Sequence, residues 1–252
     1  MADNNMQEII DRVRNNCKVL KLSYAFVEKA VDLEKEVGNG PFLVTLDKLL
    51  VSEVGRRSTL RIDKLSNSGG FPVRYSSDEF DTTNVSFPDG ESLNSMLELP
   101  FLSGTPKRNV IMYGKPGSGM SMLSIILGEA ACEKGYATRF IRTADLAELL
   151  EEKGTRKVSK MLSKVQLLIL DEFGYTPINL EPARMLFNLV SSFEGKKSII
   201  LNTCVEFSKW IEVLGDNHLG SSFAGKMVNG GYLILFSGSD RRFETMHTKK
   251  AP

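Results

Sequence analysis

The sequence predicts an α/β fold in which a small helical N-terminal region precedes a parallel β-sheet of five strands with helices on both faces. Two observations support this prediction. From Arg108 onward, continuous apolar runs alternate with helical segments, a pattern typical of parallel strands buried on both faces. The first third of the chain instead repeats apolar residues at intervals of three and four, which is the period of a helix face.

The composition is that of an ordinary globular protein. The chain has 252 residues, of which 42% are hydrophobic and 25% charged, and a chain of this size can fold without disulfides or a structural metal. Three widely spaced cysteines indicate reduced thiols. No apolar run approaches the ~20 residues of a membrane helix, and the polar N-terminus does not resemble a signal peptide. We therefore expect a cytoplasmic protein that does not associate with membranes.

Helices are expected first along the chain, followed by strands that alternate with helices. The predicted N-terminal helices cover 6–13, 24–37 and 45–65, and the polar residues 71–90, with two prolines, are expected to form a linker. A helix should follow the glycine loop after the first strand, Thr143 should cap the next helix, and a third should cover 181–193. The five strands are expected at 110–113, 138–141, 165–170, 198–201 and 232–236.

A glycine-rich loop follows the first strand. Its residues fit the phosphate-loop pattern G-x-x-x-x-G-K-[ST] except that methionine replaces the lysine. Ser121 stands where a hydroxyl coordinates Mg²⁺, whereas Met120 cannot donate a hydrogen bond, and losing such a charge-assisted contact costs roughly 1.5–3 kcal/mol. A ligand-free turn and a phosphate site are equally compatible with this motif taken alone. The loop reads Gly114, Lys115, Pro116, Gly117, Ser118, Gly119, Met120 and Ser121, with Met122 following.

Two carboxylates, Asp171 and Glu172, end the apolar run that begins at Leu167. The carboxyl ends of parallel strands line the ligand crevice of such sheets. There Asp171 could hold Mg²⁺ and Glu172 could polarise an attacking water. An exposed acidic pair is the simpler alternative, but the phosphate-type loop one strand and one helix earlier favours nucleotide chemistry.

With these motifs the sequence resembles the IstB-like transposition helper ATPases, which are close to the DnaC/DnaI helicase loaders within the AAA+ superfamily. The resemblance covers nearly the whole chain. Its more specific elements are the Asp-Glu-Phe-Gly-Tyr stretch 171–175 and the Phe-Ser-x-Trp element 207–210, which generic phosphate-loop proteins lack. Other matching segments are 109–121, 135–136 with 139–140, 143–146 and 168–170.

The resemblance implies a helical domain over 1–70 and, over 71–252, a linker followed by an AAA+ three-layer sandwich that binds ATP with Mg²⁺. It also implies homo-oligomers that bind ATP between subunits, assemble on DNA and recruit a transposase or a replicative helicase. By the same resemblance Cys204 takes the sensor-1 position, with Asn202 two residues earlier. Lys226 replaces the arginine finger, and Arg242, next to Arg241, is the sensor-2 arginine.

These replacements lead us to expect weak ATP hydrolysis. The ammonium group of Lys226 does not reproduce the planar fork of arginine. Arginine fingers increase the rate by about 10³–10⁵ in related hydrolases. The favoured function is an ATP-binding helper of DNA transposition. The alternatives are a helicase loader and a non-catalytic DNA-binding scaffold that has lost its dependence on ATP.

A cluster of cations follows the second helix of the sheet region. Residues 1–100 carry 12 basic and 16 acidic side chains, a balance of −4, which leaves 20 and 15, a balance of +5, for residues 101–252. Residues 156, 160 and 164 would share one face of a continuous helix, and such a face can follow DNA phosphates. A solvated helix face is the alternative. The cluster consists of Lys153, Arg156, Lys157, Lys160 and Lys164.

Overall fold

The computed structural model describes residues 2–22, 28, 31–32, 42–238 and 240. The chain divides into two units, residues 1–64 and residues 65–252. In the described part of the chain, no helix combines the length and the apolar character that crossing a membrane requires.

The first unit is helical, as predicted. Helix α1 spans Ala2–Val19, and helix α2, Phe42–Gly69, starts in this unit and runs past its boundary. Buried Ile9, Val13 and Cys17 of α1 pack with Leu50 of α2. Helix α2 extends three residues further on the N-terminal side and four on the C-terminal side than predicted. The predicted helix 24–37 lies almost entirely outside the described residues.

The second unit contains one six-stranded sheet with the order β1-β6-β2-β5-β4-β3. The five predicted parallel strands are confirmed. Strands β2 and β3 end one residue later than expected and β5 ends two residues later, whereas β4 begins two residues later and ends three residues later than expected. Strand β1, which lies at the edge of the sheet and pairs antiparallel with β6, was not predicted. The strands are β1 Val85–Ser86, β2 Val110–Gly114, β3 Thr138–Arg142, β4 Leu167–Phe173, β5 Ser198–Thr203 and β6 Tyr232–Phe236.

Helices cover both faces of the sheet, as expected for a parallel sheet. Successive residues of β4 alternate between two apolar clusters: Leu168 and Leu170 join one, and Leu167 and Ile169 join the other. Helix α5 packs on the second cluster, and helices α6 to α10 pack on the first. The helices are α3 Leu93–Leu97, α4 Pro100–Ser103, α5 Met120–Glu133, α6 Thr143–Lys153, α7 Thr155–Met161, α8 Leu180–Phe193, α9 Trp210–Leu214 and α10 Asn217–Val228.

Two local expectations were wrong. Residues 71–90 are not only a linker, since Val85 and Ser86 pair with Phe236 and Leu235 and extend the sheet. Thr143 does not cap α6: its hydroxyl donates to the Asp171 carbonyl oxygen at 2.8 Å, and so it joins the start of α6 to the end of β4.

Candidate functional site

The glycine loop connects β2 to α5 and adopts a conformation that requires glycine. Gly117 has a φ of +76° and Gly119 a φ of +108°, in the left-handed region that side chains disfavour. At Gly114 a Cβ atom would lie 2.5 Å from the Cβ of Phe236. The backbone is held by a hydrogen bond from the Ser118 amide to the Lys115 carbonyl oxygen, 3.2 Å. The sequence therefore forms a tight strand-to-helix turn at the point predicted.

This turn fits a phosphate group in two respects. The first N–H groups of α5 have no partner within the helix and lie at its positive end, an arrangement that favours anions. Ser118 is 2% exposed, and its hydroxyl oxygen is buried without a hydrogen-bond partner among the described residues. An unpaired buried hydroxyl costs free energy, so a ligand oxygen within its reach would stabilise the loop.

Met120 is the first residue of α5 and is 7% exposed. Its side chain borders the cleft beside the loop and packs in the apolar cluster beneath it. The Met120 side chain therefore packs in the core and contributes no charge to the cleft. Lys115 is exposed at the other end of the loop and does not line the cleft.

Asp171 lies on β4 directly opposite the start of α5. The residue is 6% exposed, and its carboxylate oxygen Oδ1 accepts two hydrogen bonds, one from the Ser121 hydroxyl at 3.0 Å and one from the Asn202 amide at 2.8 Å. The structure thus brings together the two residues predicted to hold Mg²⁺. Mg²⁺ is usually bound by one or two carboxylates together with substrate phosphates, so this pair suits the ion without a complete protein cage.

Asn202 is a functional candidate for which the sequence favoured Cys204 instead. It lies within β5, is 2% exposed, and its amide oxygen accepts a hydrogen bond from the Ser124 hydroxyl at 2.8 Å. Cys204, the predicted sensor-1 residue, follows the end of β5 and lines the cleft, but Asn202 is the residue that contacts the acid. An asparagine directly after the apolar residues 199–201 of a buried strand is the signal that could have identified it.

Glu172 has an unusual backbone. Its φ is +58°, and the pairing of β4 with β5 shifts register between Leu170 and Phe173. A side chain in this left-handed region costs roughly 1–2 kcal/mol. The exposed carboxylate of Glu172 lines the cleft, whereas the neighbouring Asp171 is buried. The register shift is a β-bulge, and it places two adjacent acids in different environments.

The cleft has a volume of about 250 Å³, and a neighbouring cavity of about 710 Å³ shares four of its lining residues. None of the described residues that line the cleft is lysine or arginine. The Asp240 carboxylate lies so close to Gly117 that a Cβ there would be 2.0 Å from its Oδ1. The cleft is therefore acidic. The shared lining residues are Tyr75, Ser121, Asp171 and Glu172.

Among the described residues that line the cleft and the neighbouring cavity, the arginines all line the cavity. Arg142 forms an ion pair with Asp145 at 2.8 Å, and this hydrogen-bonded carboxylate raises the pKa of Arg142. The Arg139 guanidinium donates to the Ser68 carbonyl oxygen at 3.2 Å. Tyr75, which the sequence did not single out, borders both spaces.

The remaining predicted cations lie away from the cleft. The Lys226 ammonium, on α10, pairs with Glu194 at 2.6 Å and is 5.9 Å from the ring centroid of Phe187. It does not line the cleft of its own chain, and a role across a subunit interface stays a prediction. Arg242 lies outside the described residues.

The predicted single basic helix face is wrong. Lys153 ends α6, Gly154 separates α6 from α7, and Lys164 lies beyond the end of α7 at Met161. Gly154 has a φ of +76°, which breaks the helix. Four of the five cations are nevertheless exposed, namely Arg156, Lys157, Lys160 and Lys164.

The glycine loop, the acid pair at the end of β4 and the parallel sheet are the features of a P-loop nucleotide-binding fold. More particularly, the chain belongs to the family of IstB-like ATP binding proteins, whose profile matches residues 15–248. It is similar to the insertion sequence IS232 ATP-binding protein of Bacillus thuringiensis subsp. berliner, with 28% identity over 97% of this chain and 99% of that protein.

One further relative and one solved structure are also similar to this chain. The insertion sequence IS5376 ATP-binding protein of Geobacillus stearothermophilus is 28% identical over 78% of this chain and 79% of that protein. Among solved structures, that of DnaI is similar with a TM-score of 0.52 and 14% identity, covering 67% of this chain and 91% of that one. The likeness to DnaI concerns the fold.

Proposed function

We propose that this protein is an ATP-binding helper of insertion-sequence transposition. It binds ATP with Mg²⁺ in the cleft, hydrolyses it slowly, assembles on DNA as an oligomer and recruits a transposase. The proposal is supported by membership of the IstB-like family and by the names of the two relatives, which are ATP-binding proteins of insertion sequences.

One observation carries the nucleotide part of the proposal. Oδ1 of the buried Asp171 is held by Ser121 at 3.0 Å and by Asn202 at 2.8 Å, beside a glycine loop that suits a phosphate. Ser121 and Asp171 are the residues that would hold Mg²⁺. When bound, this ion would neutralise part of the negative charge of the phosphates. The amide groups at the start of α5 hold phosphate oxygens, and the exposed carboxylate of Glu172 orients and polarises water.

Slow hydrolysis follows from the missing cations. Met120 contributes no charge, and Lys226 is paired with Glu194. Because phosphoryl transfer depends mainly on positioning and on neutralising charge, a cleft whose described lining holds no cation supplies little of the stabilisation that a P-loop lysine and an arginine finger provide.

The nucleotide part is tested by titrating the protein with a fluorescent ATP analogue, once with Mg²⁺ and once with EDTA. We expect binding with Mg²⁺ and a loss of at least roughly tenfold in affinity without it, because the described cleft lining has carboxylates and no cation. Equal affinity in both conditions would contradict the metal assignment, and no binding in either would favour the scaffold function.

Steady-state hydrolysis tests the second part. We expect a turnover below the roughly 1–100 s⁻¹ that is typical of kinases, by about 10³-fold or more. Turnover within that range, abolished by Glu172→Gln, would show that the missing cations are replaced by other residues.

Co-purification tests the partner. We expect the protein to retain a transposase on a column in the presence of ATP and DNA. Retention of a hexameric replicative helicase instead would favour the loader function.

A further inference from the structure

Several lysines and arginines gather at the end of the sheet opposite the cleft. Residues 107–108 precede β2, residues 160–164 precede β4 and residues 196–197 precede β5. These three strands are neighbours in the sheet and run parallel, so their starting ends lie side by side. We call these three segments the basic edge.

Backbone and side-chain contacts join the segments of the basic edge. The Lys107 amide donates to the Gly195 carbonyl oxygen at 3.1 Å, and the Lys197 ammonium donates to the carbonyl oxygen of Ser163 at 3.0 Å. Burial lowers the pKa of Lys197. Lys197 therefore positions the end of the α7 segment against the start of β5, and the three segments form one continuous surface.

Other cations on this edge are exposed and free. Among the described residues, none of their side chains has a hydrogen bond or an ion pair with a carboxylate. Some exposed cations elsewhere in the same unit are paired, as Lys134 is with Glu98 and Arg184 is with Glu181, whereas exposed Lys115 and Lys209 have no ion pair among the described residues. The edge segments themselves contain no acidic residue, and Glu194, two residues before the third segment, is engaged by Lys226. The free side chains are Arg108, Lys160, Lys164 and Lys196.

We propose that the basic edge binds the phosphate backbone of double-stranded DNA. Neighbouring strands lie about 4.8 Å apart, so three strand starts span about 10 Å before the reach of the side chains is added. Phosphates along one DNA strand advance by about 3.4 Å each, so the edge matches several consecutive phosphates. This inference deepens the proposed function, since DNA is the partner proposed there.

The edge favours duplex over single-stranded DNA. Single strands are held by bases stacked on aromatic side chains. In the part of the chain that the structure describes, the exposed aromatic side chains are Phe42 and Tyr175, and neither lies on the basic edge. A surface of lysine and arginine alone contacts phosphates, which gives binding without sequence preference.

The basic edge also differs from the helix face that the sequence predicted. It includes Lys160 and Lys164, but it adds Arg108 and Lys196, which are distant in sequence and meet only in the folded sheet. The edge lies at the opposite ends of the strands from the cleft, so DNA and nucleotide can bind at the same time.

The experiment measures fluorescence anisotropy of a labelled duplex of arbitrary sequence with the full chain, between about 50 and 200 mM salt. In the double variant Arg108→Glu with Lys196→Glu we expect at least roughly tenfold weaker binding and a salt slope lower by about two, since each phosphate contact contributes about 0.9. Lys209→Glu is the matched control, because Lys209 is an exposed lysine that follows the other end of β5, and it should keep the slope of the unmodified protein.

Each outcome decides between the proposals. If the unmodified protein binds duplex and the double variant retains its slope, the basic edge is not the DNA surface while the proposed function stands. If the unmodified protein binds no duplex at low salt, both fail. Tighter binding of a labelled single strand than of the duplex would overturn the assignment to duplex. Arg108→Gln with Lys196→Gln repeats the test without charge reversal, and circular dichroism of each variant reports its folding.

Discussion

The side-chain amide of Asn202 donates a hydrogen bond to Oδ1 of Asp171 over 2.8 Å, and so joins the ends of two neighbouring strands at the candidate nucleotide site. Asn202 also accepts a hydrogen bond from Ser124 of α5 at 2.8 Å. One buried amide therefore orients the acid and connects it to the helix that follows the glycine loop.

We expect Asn202→Ala to destabilise the protein by about 1–3 kcal/mol, because it leaves the buried Asp171 carboxylate and the Ser124 hydroxyl each short of a partner. Urea unfolding followed by circular dichroism measures this change. Asn94→Ala is the control, since it makes the same substitution at an exposed residue and should change the free energy of unfolding by less than about 0.5 kcal/mol. A similar small change for Asn202→Ala would mean that the network contributes little to stability.

Met120→Lys should raise the affinity for Mg²⁺-ATP by roughly ten- to a hundredfold, because the ammonium would add a charge-assisted contact to phosphate. The same substitution should reduce stability without nucleotide, since position 120 is 7% exposed and disfavours a charge. Titration with a fluorescent ATP analogue measures the first effect, and thermal unfolding measures the second.

Met161→Lys is the matched control for that experiment. It adds the same charge at a methionine on α7 that is 57% exposed and does not line the cleft. An equal gain in affinity in both variants would indicate a general effect of net charge and not a contact in the cleft.

Replacing Glu172 separates its backbone role from its side-chain role. Glu172→Gly and Glu172→Ala both remove the carboxylate, but only glycine adopts a φ of +58° without strain. After the greater entropy of glycine in the unfolded chain is subtracted, we expect the glycine variant to be more stable than the alanine variant by roughly 0.5–1 kcal/mol. Guanidinium unfolding tests the difference. An alanine variant at least as stable as the glycine variant would show that the bulge relaxes when the side chain is removed.

Asp240→Asn should strengthen nucleotide binding by roughly tenfold, because the carboxylate lies against Gly117 and its charge repels a polyphosphate. Titration with tripolyphosphate and with the ATP analogue reports this gain. Asp89→Asn removes an equal charge at an exposed residue that does not line the cleft, and it should leave the affinity unchanged. Weaker binding by Asp240→Asn would instead identify Asp240 as a ligand contact.

The local parts of the site were predictable because each is encoded in adjacent residues. The glycine-rich sequence from Gly114 to Ser121 predicts a tight turn before a helix. The apolar run that ends in Asp171 and Glu172 predicts a buried strand with two acids at its carboxyl end. Ser121 and Asp171 were also paired correctly as neighbours, because both lie at the same edge of a parallel sheet. Strand β1 was missed because two residues carry no periodic signal.

The amino-acid order alone thus established the helical start, the five parallel strands, the phosphate-type turn and the substitution of Met120. The tertiary structure determined which of the candidate residues contact one another. Asn202 rather than Cys204 contacts Asp171, and Gly154 divides the basic helix. The Lys107 amide bonds to Gly195 across nearly ninety residues of chain, which joins two segments of the basic edge. The physical reason is that periodicity and turn chemistry act between near neighbours, whereas hydrogen bonds between strands and the charge of a surface depend on strand order and register, which are set when the whole sheet packs.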